Sequence, residues 1–535
     1  MKELDFPSRP LVKEVSATDN KTVNYSPIRV LAANKANSHE NLLSSLSTSV
    51  PSEHMNINLV GEVVLNLYDT QDWKLSSGGY FVETQVGSDN NVTFTLRCTD
   101  QPSSHFNIHD FTLFPNAINL STVKELGLRR LLQRLADGRA LVKLASVSSV
   151  ISEIEFYQHK TGLRLGRVRL ITPKGLPEHW IEIEMIVGVD PTPTLKNITR
   201  SLKPYLISNT DWDRWASVMR ANNRKRFDYN QLGQSTFDVG DSPITSLKTM
   251  GMNLYQRVML NSDGVVGDYD LEYCHDIRVD LRKTRVILEH LGHLNPTAKG
   301  KTKDTCSLRQ LEKRLKRFQT ICGAQRDLDV FLINLSAVES KSLEMAVHFK
   351  NQRGKAHSTL CQFIEGSEFS KLLDAWNNSL RCIGQRKSGG VGTQKMINFA
   401  YNRVESTYKD FTEQAKLTDT VASHEEMHNL RKKGKHLRYT LELFEPVFPH
   451  KLFKVAIKEL KETQDLLGAF QDAEVALHLL ESIAPIANLD LSTRDHLSSE
   501  REALFDKCLV QVGHFLASDG LKTINRLLKE LNKQS

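Results

Sequence analysis

The chain has 535 residues, a hydrophobic content of 40%, a formal net charge of +7 and a pI of about 8.8. This is room for two or three domains with buried cores, and too mild a basic excess for a histone-like protein. No uninterrupted apolar run reaches the roughly 18 residues of a membrane span, and the first residues lack a basic-then-apolar signal, so neither a span nor secretion is expected.

Residues 1–55 are rich in Ser and Asn with weak periodicity, and read as a mobile leader with room for one strand. From about Met55 to Asp190 the pattern changes. The segments NINLVGEVVLNLYDT, GGYFVETQVG, NVTFTLRCTD, RALVKLASVSSVISEIEFYQ, LRLGRVRLIT and HWIEIEMIVG alternate and are separated by turn residues. They predict an antiparallel sheet or barrel. One insertion, STVKELGLRRLLQRLADG, has helical spacing and a glycine stop. Residues 206–239 read as a connector. From Gly240 onward apolar residues recur at 3 and 4, so the remainder should be helical. The seven cysteines, at 98, 274, 306, 322, 361, 382 and 508, form no CxxC pair and suggest reduced thiols in the cytoplasm.

The helical part repeats itself on either side of QRKSGGVGTQK, giving halves 240–384 and 396–535. TMGMNLYQRVML aligns with KMINFAYNRVES, placing Arg257 against Arg403. LKRFQTICGAQRDLDV aligns with LKETQDLLGAFQDAEV, matching Lys316 to Lys461, Gln319 to Gln464, Gly323 to Gly468 and Asp327 to Asp472. Both Gly-to-Asp spacings read as helix breaks that cap or pair with a nearby Arg. Between these blocks lie YCHDIRVDLRKTRVILEHLG and MHNLRKKGKHLRYTLE. His275, Arg278, Arg282 and Arg285 fall at offsets of 0, 3, 7 and 10, and His428, Arg431, Lys435 and Arg438 keep the same offsets. Each set spans about 80° of arc, so two helices each carry a cationic stripe. Such rows repel themselves unless solvated or met by an anion, and solvation requires no shared register. Arg presents a fork suited to phosphate oxygens, and Lys a point charge. The pattern therefore predicts a groove for a linear polyanion, with Gly434 making the second helix either soft or closely packed.

The motifs HDIRVDLRKTR, ICGAQRDLDVFL, HNLRKKGKHLRYTLELF and LLGAFQDAEVA resemble the CHAD family, the conserved-histidine α-helical domain, over about residues 240–535. The resemblance implies two pseudosymmetric four-helix bundles and binding of inorganic polyphosphate by the eight stripe residues. Lys283, Lys313, Lys316, Arg317 and Lys432 are further candidates at neighbouring positions. CYTH domains, barrel-like triphosphate tunnels, often precede CHAD domains. LNLYDTQDWKLSSGGYFVETQV with NVTFTLR, and later HWIEIEMIVG, resembles that family over residues 56–205. The fold class expected is therefore α+β: a CYTH-type antiparallel barrel-like domain followed by an all-α domain.

In that resemblance Glu182 and Glu184 are the carboxylates that would hold Mg²⁺, and Arg97, Arg167 and Arg169 the cations for triphosphate. The family's ExExK opening has no counterpart in YSPIRVLAANKANSHENL, and FVETQV lacks the arginines of an LRIR-like strand. A degenerate, catalytically weak or inactive domain is expected. Three readings follow. The first is a cytoplasmic polyphosphate-binding protein, associated with polyphosphate granules, that needs no cofactor and has no identified metal site. The second is a Mg²⁺-dependent inorganic triphosphatase or polyphosphate hydrolase whose helical part tethers substrate. The third is a general polyanion or RNA binder, disfavoured because few aromatics besides Tyr439 interleave the cations.

Overall fold

The structure is a computed structural model that describes residues 29–34, 40–42, 44–45, 55–87, 92–98, 104–106, 116–123, 125–157, 161–162, 164–185, 197–198, 200–206, 213–294, 308–337, 343–383, 395–483, 491–517 and 519–534. The expected linker between the helical halves, 385–395, lies outside these residues apart from Lys395, as does most of the expected leader. The chain forms two compact units, residues 1–231 and 232–535.

Unit 1 contains an antiparallel curled sheet, a half-barrel. Its strands are β1 (Arg29–Asn34), β2 (Met55–Asp69), β3 (Tyr80–Gly87), β4 (Val92–Cys98), β5 (Ser104–Phe106), β6 (Ala117–Ile118), β7 (Leu141–Tyr157), β8 (Arg164–Pro173) and β9 (Glu178–Met185). The order is β1-β9-β8-β7-β2-β3-β4-β5, with β6 beside β7. Barrel closure does not occur among the described residues, because β1 and β5 end the path unpaired with each other. Gly61, at φ +93°, forms a bulge in β2 opposite β7. A bulge bends and twists its strand, which supports the curl.

The alternation in sequence becomes two chemically distinct faces. On β9, Ile181 and Ile183 join an apolar core with Ile154, Phe156, Val168 and Leu170, while Glu182 and Glu184 project to the other side. Helix α1 (Leu126–Leu135) covers a second core through Leu128, Leu131 and Leu132, packed with Val82, Phe94 and Leu96. The glycine stop is present: Gly138, at φ +75°, donates its N–H to the Gln133 carbonyl at 2.8 Å. Helix α2 (Arg214–Ala221) buries Trp215 and starts at Asp213, whose carboxylate accepts from Trp215 N–H at 3.0 Å.

Unit 2 is helical: α3 (Pro243–Val266), α4 (Leu271–Leu294), α5 (Leu308–Ala337), α6 (Leu343–Glu365), α7 (Ser367–Cys382), α8 (Met396–Val421), α9 (His424–Leu443), α10 (His450–Ile483), α11 (Leu491–Ala517) and α12 (Asp519–Gln534). Helices α3 to α7 pack on one another, as do α8 to α12, and the two sets meet through α4 with α9 and α5 with α10. Each half thus carries five described helices, where four were expected. Gly366 separates α6 from α7. The expected breaks at Gly323 and Gly468 are absent, since α5 and α10 run through both glycines. One glycine costs a helix only about 1 kcal/mol relative to Ala, which helices of this length absorb. None of the described helices is long and apolar enough to cross a membrane.

Candidate functional site

Helix α4 begins at Asp270, whose carboxylate accepts from Glu272 N–H at 2.8 Å. Its apolar stripe of Tyr273, Ile277, Leu281, Leu288 and Leu291 is buried, which fixes its rotation. Helix α9 begins at Ser423, which accepts from Glu426 N–H at 3.2 Å, and buries Met427, Leu430, Leu437 and Leu441. Gly434 is the close-packed point on α9. A Cβ there would lie 3.1 Å from Phe411, and its carbonyl accepts from Gln464 Nε2 at 2.6 Å.

These two rotations bring the stripes into electrostatic contact. Arg282 of α4 and Arg431 and Lys435 of α9 act on one another as repelling neighbours. Burial pushes the Lys435 amine down to about 6, and Arg431, Arg282 and Arg438 push the same way. Burial also lowers Arg431 and Arg278 from their ordinary values. The carboxylates set among these cations are Asp327 of α5 and Asp472 of α10. Burial raises both above the ordinary Asp range, although Arg278 and Arg431 pull them back. The Arg278 guanidinium lies over Gly323, where a Cβ would sit 2.5 Å from Nη1, and reaches Asp327 at 3.9 Å. Gly323 therefore makes room for an arginine, and the pairing expected of Asp327 is present without the helix break.

The remaining stripe residues have more local engagements. Burial lowers His275, with Arg326 and Arg282 acting in the same direction. The His428 ring is hydrogen-bonded to Gln471. Arg285 donates to Gln319 at 3.1 Å and Glu312 at 2.9 Å. Arg438 pairs with Glu442 at 3.4 Å and lies 5.2 Å from the Tyr439 ring centroid. Lys283 pairs with Glu442 at 3.2 Å, Arg317 pairs with Glu368 at 2.7 Å, and Lys313, Lys316 and Lys432 are exposed. Sequence reasoning missed Arg326, a neighbour of His275, Asp327 and Asp472. The repeat held the signal: Arg326 and Gln471 both fall three residues after the matched glycines, each beside its half's stripe histidine.

Residues 252–481 match the family model of the CHAD domain. All of the clustered cations lie inside this CHAD segment, which stops short of the strand-rich unit. No curated protein matches the chain. The chain is similar to the solved structure of a CHAD domain from the plant Ricinus communis, at 19% identity and a TM-score of 0.45, over 52% of this chain and 95% of that one. It is also similar to a putative adenylate cyclase from Vibrio parahaemolyticus, at 10% identity, TM-score 0.24 and coverage of 35% and 97%. A putative adenylate cyclase from Bacillus halodurans gives 14%, 0.24, and coverage of 35% and 94%.

Outside the CHAD segment, unit 1 gathers its own expected site residues. Register places Arg167 opposite Glu184 and Arg169 opposite Glu182. Arg167 donates to Glu184, and Arg169 to Glu182 at 2.9 Å. Arg97 donates to Glu182 at 2.7 Å and to Glu83, which also accepts from Trp215 Nε1. Glu153 lies 3.2 Å from Arg167 and 3.8 Å from Arg169. A cavity of about 230 Å³ is lined by Glu83, Gln85, Arg97, Glu153, Arg167, Arg169 and Glu182. Among the described residues no group of three His, Cys, Asp or Glu is placed to hold a metal ion. The carboxylates are held by arginines instead, so this donor set does not fit Mg²⁺. Asp69 of the Tyr68-Asp69-Thr70 segment is buried in a turn, accepting from Thr70, Leu75 and Ser76 N–H groups at 2.7, 3.0 and 2.9 Å.

Proposed function

We propose that the CHAD segment binds inorganic polyphosphate across α4 and α9. The observation that carries this reading is the approach of Arg282 on one stripe to Arg431 and Lys435 on the other. Like charges gathered in a half-buried place raise the free energy of the empty state, and an anion relieves it. A linear polyanion with regularly spaced charge suits donors contributed by two helices, and no base-reading element is required. We take the two halves as pseudosymmetric bundles around this basic groove. Tyr439 is buried and engaged by Arg438, which disfavours base stacking and therefore RNA. The protein acts in the cytoplasm, associated with polyphosphate granules.

Residues 56–205 are taken as a degenerate CYTH-like domain with little or no triphosphatase activity. Its arginines are matched by carboxylates, and phosphoryl transfer depends on free, positioned charge. Titrating the full chain with long-chain polyphosphate should give micromolar or tighter binding. Arg282→Glu with Arg431→Glu should weaken it at least about a hundredfold. Equal binding by parent and double variant would remove the assignment. Single-stranded RNA competing equally per charge would replace it with a general polyanion sink.

A further inference from the structure

The cavity of unit 1, about 230 Å³, lies against the polar face of the curled sheet. Alternation puts Glu83 and Gln85 of β3 on that face, with Thr93 and Arg97 of β4, and the register sets Thr93 opposite Gln85. The charges of the lining cancel, with three arginines against three glutamates. Each arginine is already paired: Arg97 with Glu83 and Glu182, Arg169 with Glu182, and Arg167 with Glu184, which stands behind it. An anion entering here has to displace a carboxylate from every arginine it uses.

Hydrogen-bonding capacity outlasts the charge. A guanidinium carries five N–H donors and a carboxylate about four lone-pair sites, more than these pairs consume. Nη1 of the buried Arg97 has no hydrogen-bond partner. Glu153 meets Arg167 and Arg169 through Oε2, and among the described residues no donor reaches its Oε1. Gln85 uses its carbonyl on Arg169, which leaves its amide N–H groups. Gln85, Thr93 and Glu153 are partly exposed. Beside them Val60, Leu65 and Ile171 form an apolar wall.

We propose that this cavity binds a small uncharged polyhydroxyl ligand, a monosaccharide or a cyclic polyol. Each hydroxyl both donates and accepts, so it joins a network of mixed donors and acceptors without disturbing the charge balance. The C–H face of a ring lies on the apolar wall, since small-ligand sites combine apolar surface with a few convergent polar groups. Pockets for drug-sized ligands start at about 300 Å³, so this space suits a single ring and not a nucleotide. An anion or a zwitterion needs an unmatched charge in the lining, and the arginines are all paired.

The inference is independent of polyphosphate binding by the CHAD segment. The test is saturation-transfer difference NMR on the full chain, with D-glucose, D-ribose and myo-inositol as probes. At least one probe should receive saturation. Thr93→Leu and Gln85→Leu place apolar volume in the cavity from adjoining strands, and each should remove that signal. Denaturant unfolding of both variants should match the parent. Inorganic triphosphate without metal should not displace the bound probe, and Arg282→Glu with Arg431→Glu should bind it as the parent does. The inference is overturned by transfer to none of the three probes, by equal transfer in the parent and both folded variants, or by displacement with triphosphate. Should a leucine variant fail to fold, the parent spectrum and the triphosphate competition still decide.

Discussion

The two units use arginine in opposite ways. In unit 1, Arg97, Arg167 and Arg169 line a cavity, and each is hydrogen-bonded to a glutamate. In unit 2, Arg282 meets Arg431 and Lys435, and Asp327 and Asp472 are sparse by comparison. An arginine-lined site therefore declares nothing until its neighbours are counted. Matched charges hold one another in place, whereas crowded like charges are relieved by solvent or by an anion.

The comparison can be broken from either side. The largest effect on stability is expected in unit 1. Glu182 is fully buried and accepts from both Arg97 and Arg169. Glu182→Gln should destabilise this unit by about 3 kcal/mol, because it leaves the buried Arg97 and the partly buried Arg169 each short of a charged partner. Denaturant unfolding measures this, and polyphosphate binding by the full chain should survive. An unchanged midpoint would mean that the matched network is not what supports the sheet.

A smaller effect is expected at Gly323. In Gly323→Ala the added methyl would displace the Arg278 guanidinium, whose Nη1 lies 2.5 Å from the Cβ position. Polyphosphate affinity should fall roughly fivefold, about 1 kcal/mol. The helix should not weaken, since Ala is the better helix former. Unaltered affinity would place Arg278 outside the binding set.

The smallest effect concerns Lys435. Its folded pKa, about 6, lies below the ordinary 10.5, so the folded chain binds fewer protons than the unfolded chain between those values. Stability attributable to this residue is therefore lost as pH falls through that window, and the full cost is present below about 6. Lys435→Met should stabilise unit 2 by about 1 kcal/mol at pH 6, after allowance for partial solvent screening, and by almost nothing at pH 10. A pH-independent difference would show that the amine stays charged.

Much of this was legible in the sequence because it depends on period. Alternation revealed the strands β2, β3, β4, β7, β8 and β9, and put Glu182 and Glu184 on one face. The shared offsets of His275 and His428 located the two stripes. Partners across elements were less legible, because a repeat preserves position and not company. Arg257 and Arg403 match in sequence, yet Arg257 pairs with Asp280 at 2.9 Å, whereas Arg403 meets His290 at 3.3 Å. Gln319 and Gln464 also match, yet one bonds Arg285 and the other the Gly434 carbonyl. The breaks expected at Gly323 and Gly468 failed for a related reason. A glycine signals missing volume, and only the fold reveals that Arg278 occupies it at the first position. That the sheet stops at a half-barrel among the described residues was not legible either, since closure depends on whether the edge strands meet.

The most direct measurement is the salt dependence of long-chain polyphosphate binding to the full chain, set beside Arg282→Glu with Arg431→Glu. Affinity of the parent should fall at least about tenfold between roughly 50 and 200 mM salt as counterion release is suppressed, and the double variant should show neither that affinity nor that slope. Matching affinities and slopes for the two proteins would contradict the claim that the cations shared by α4 and α9 hold the anion.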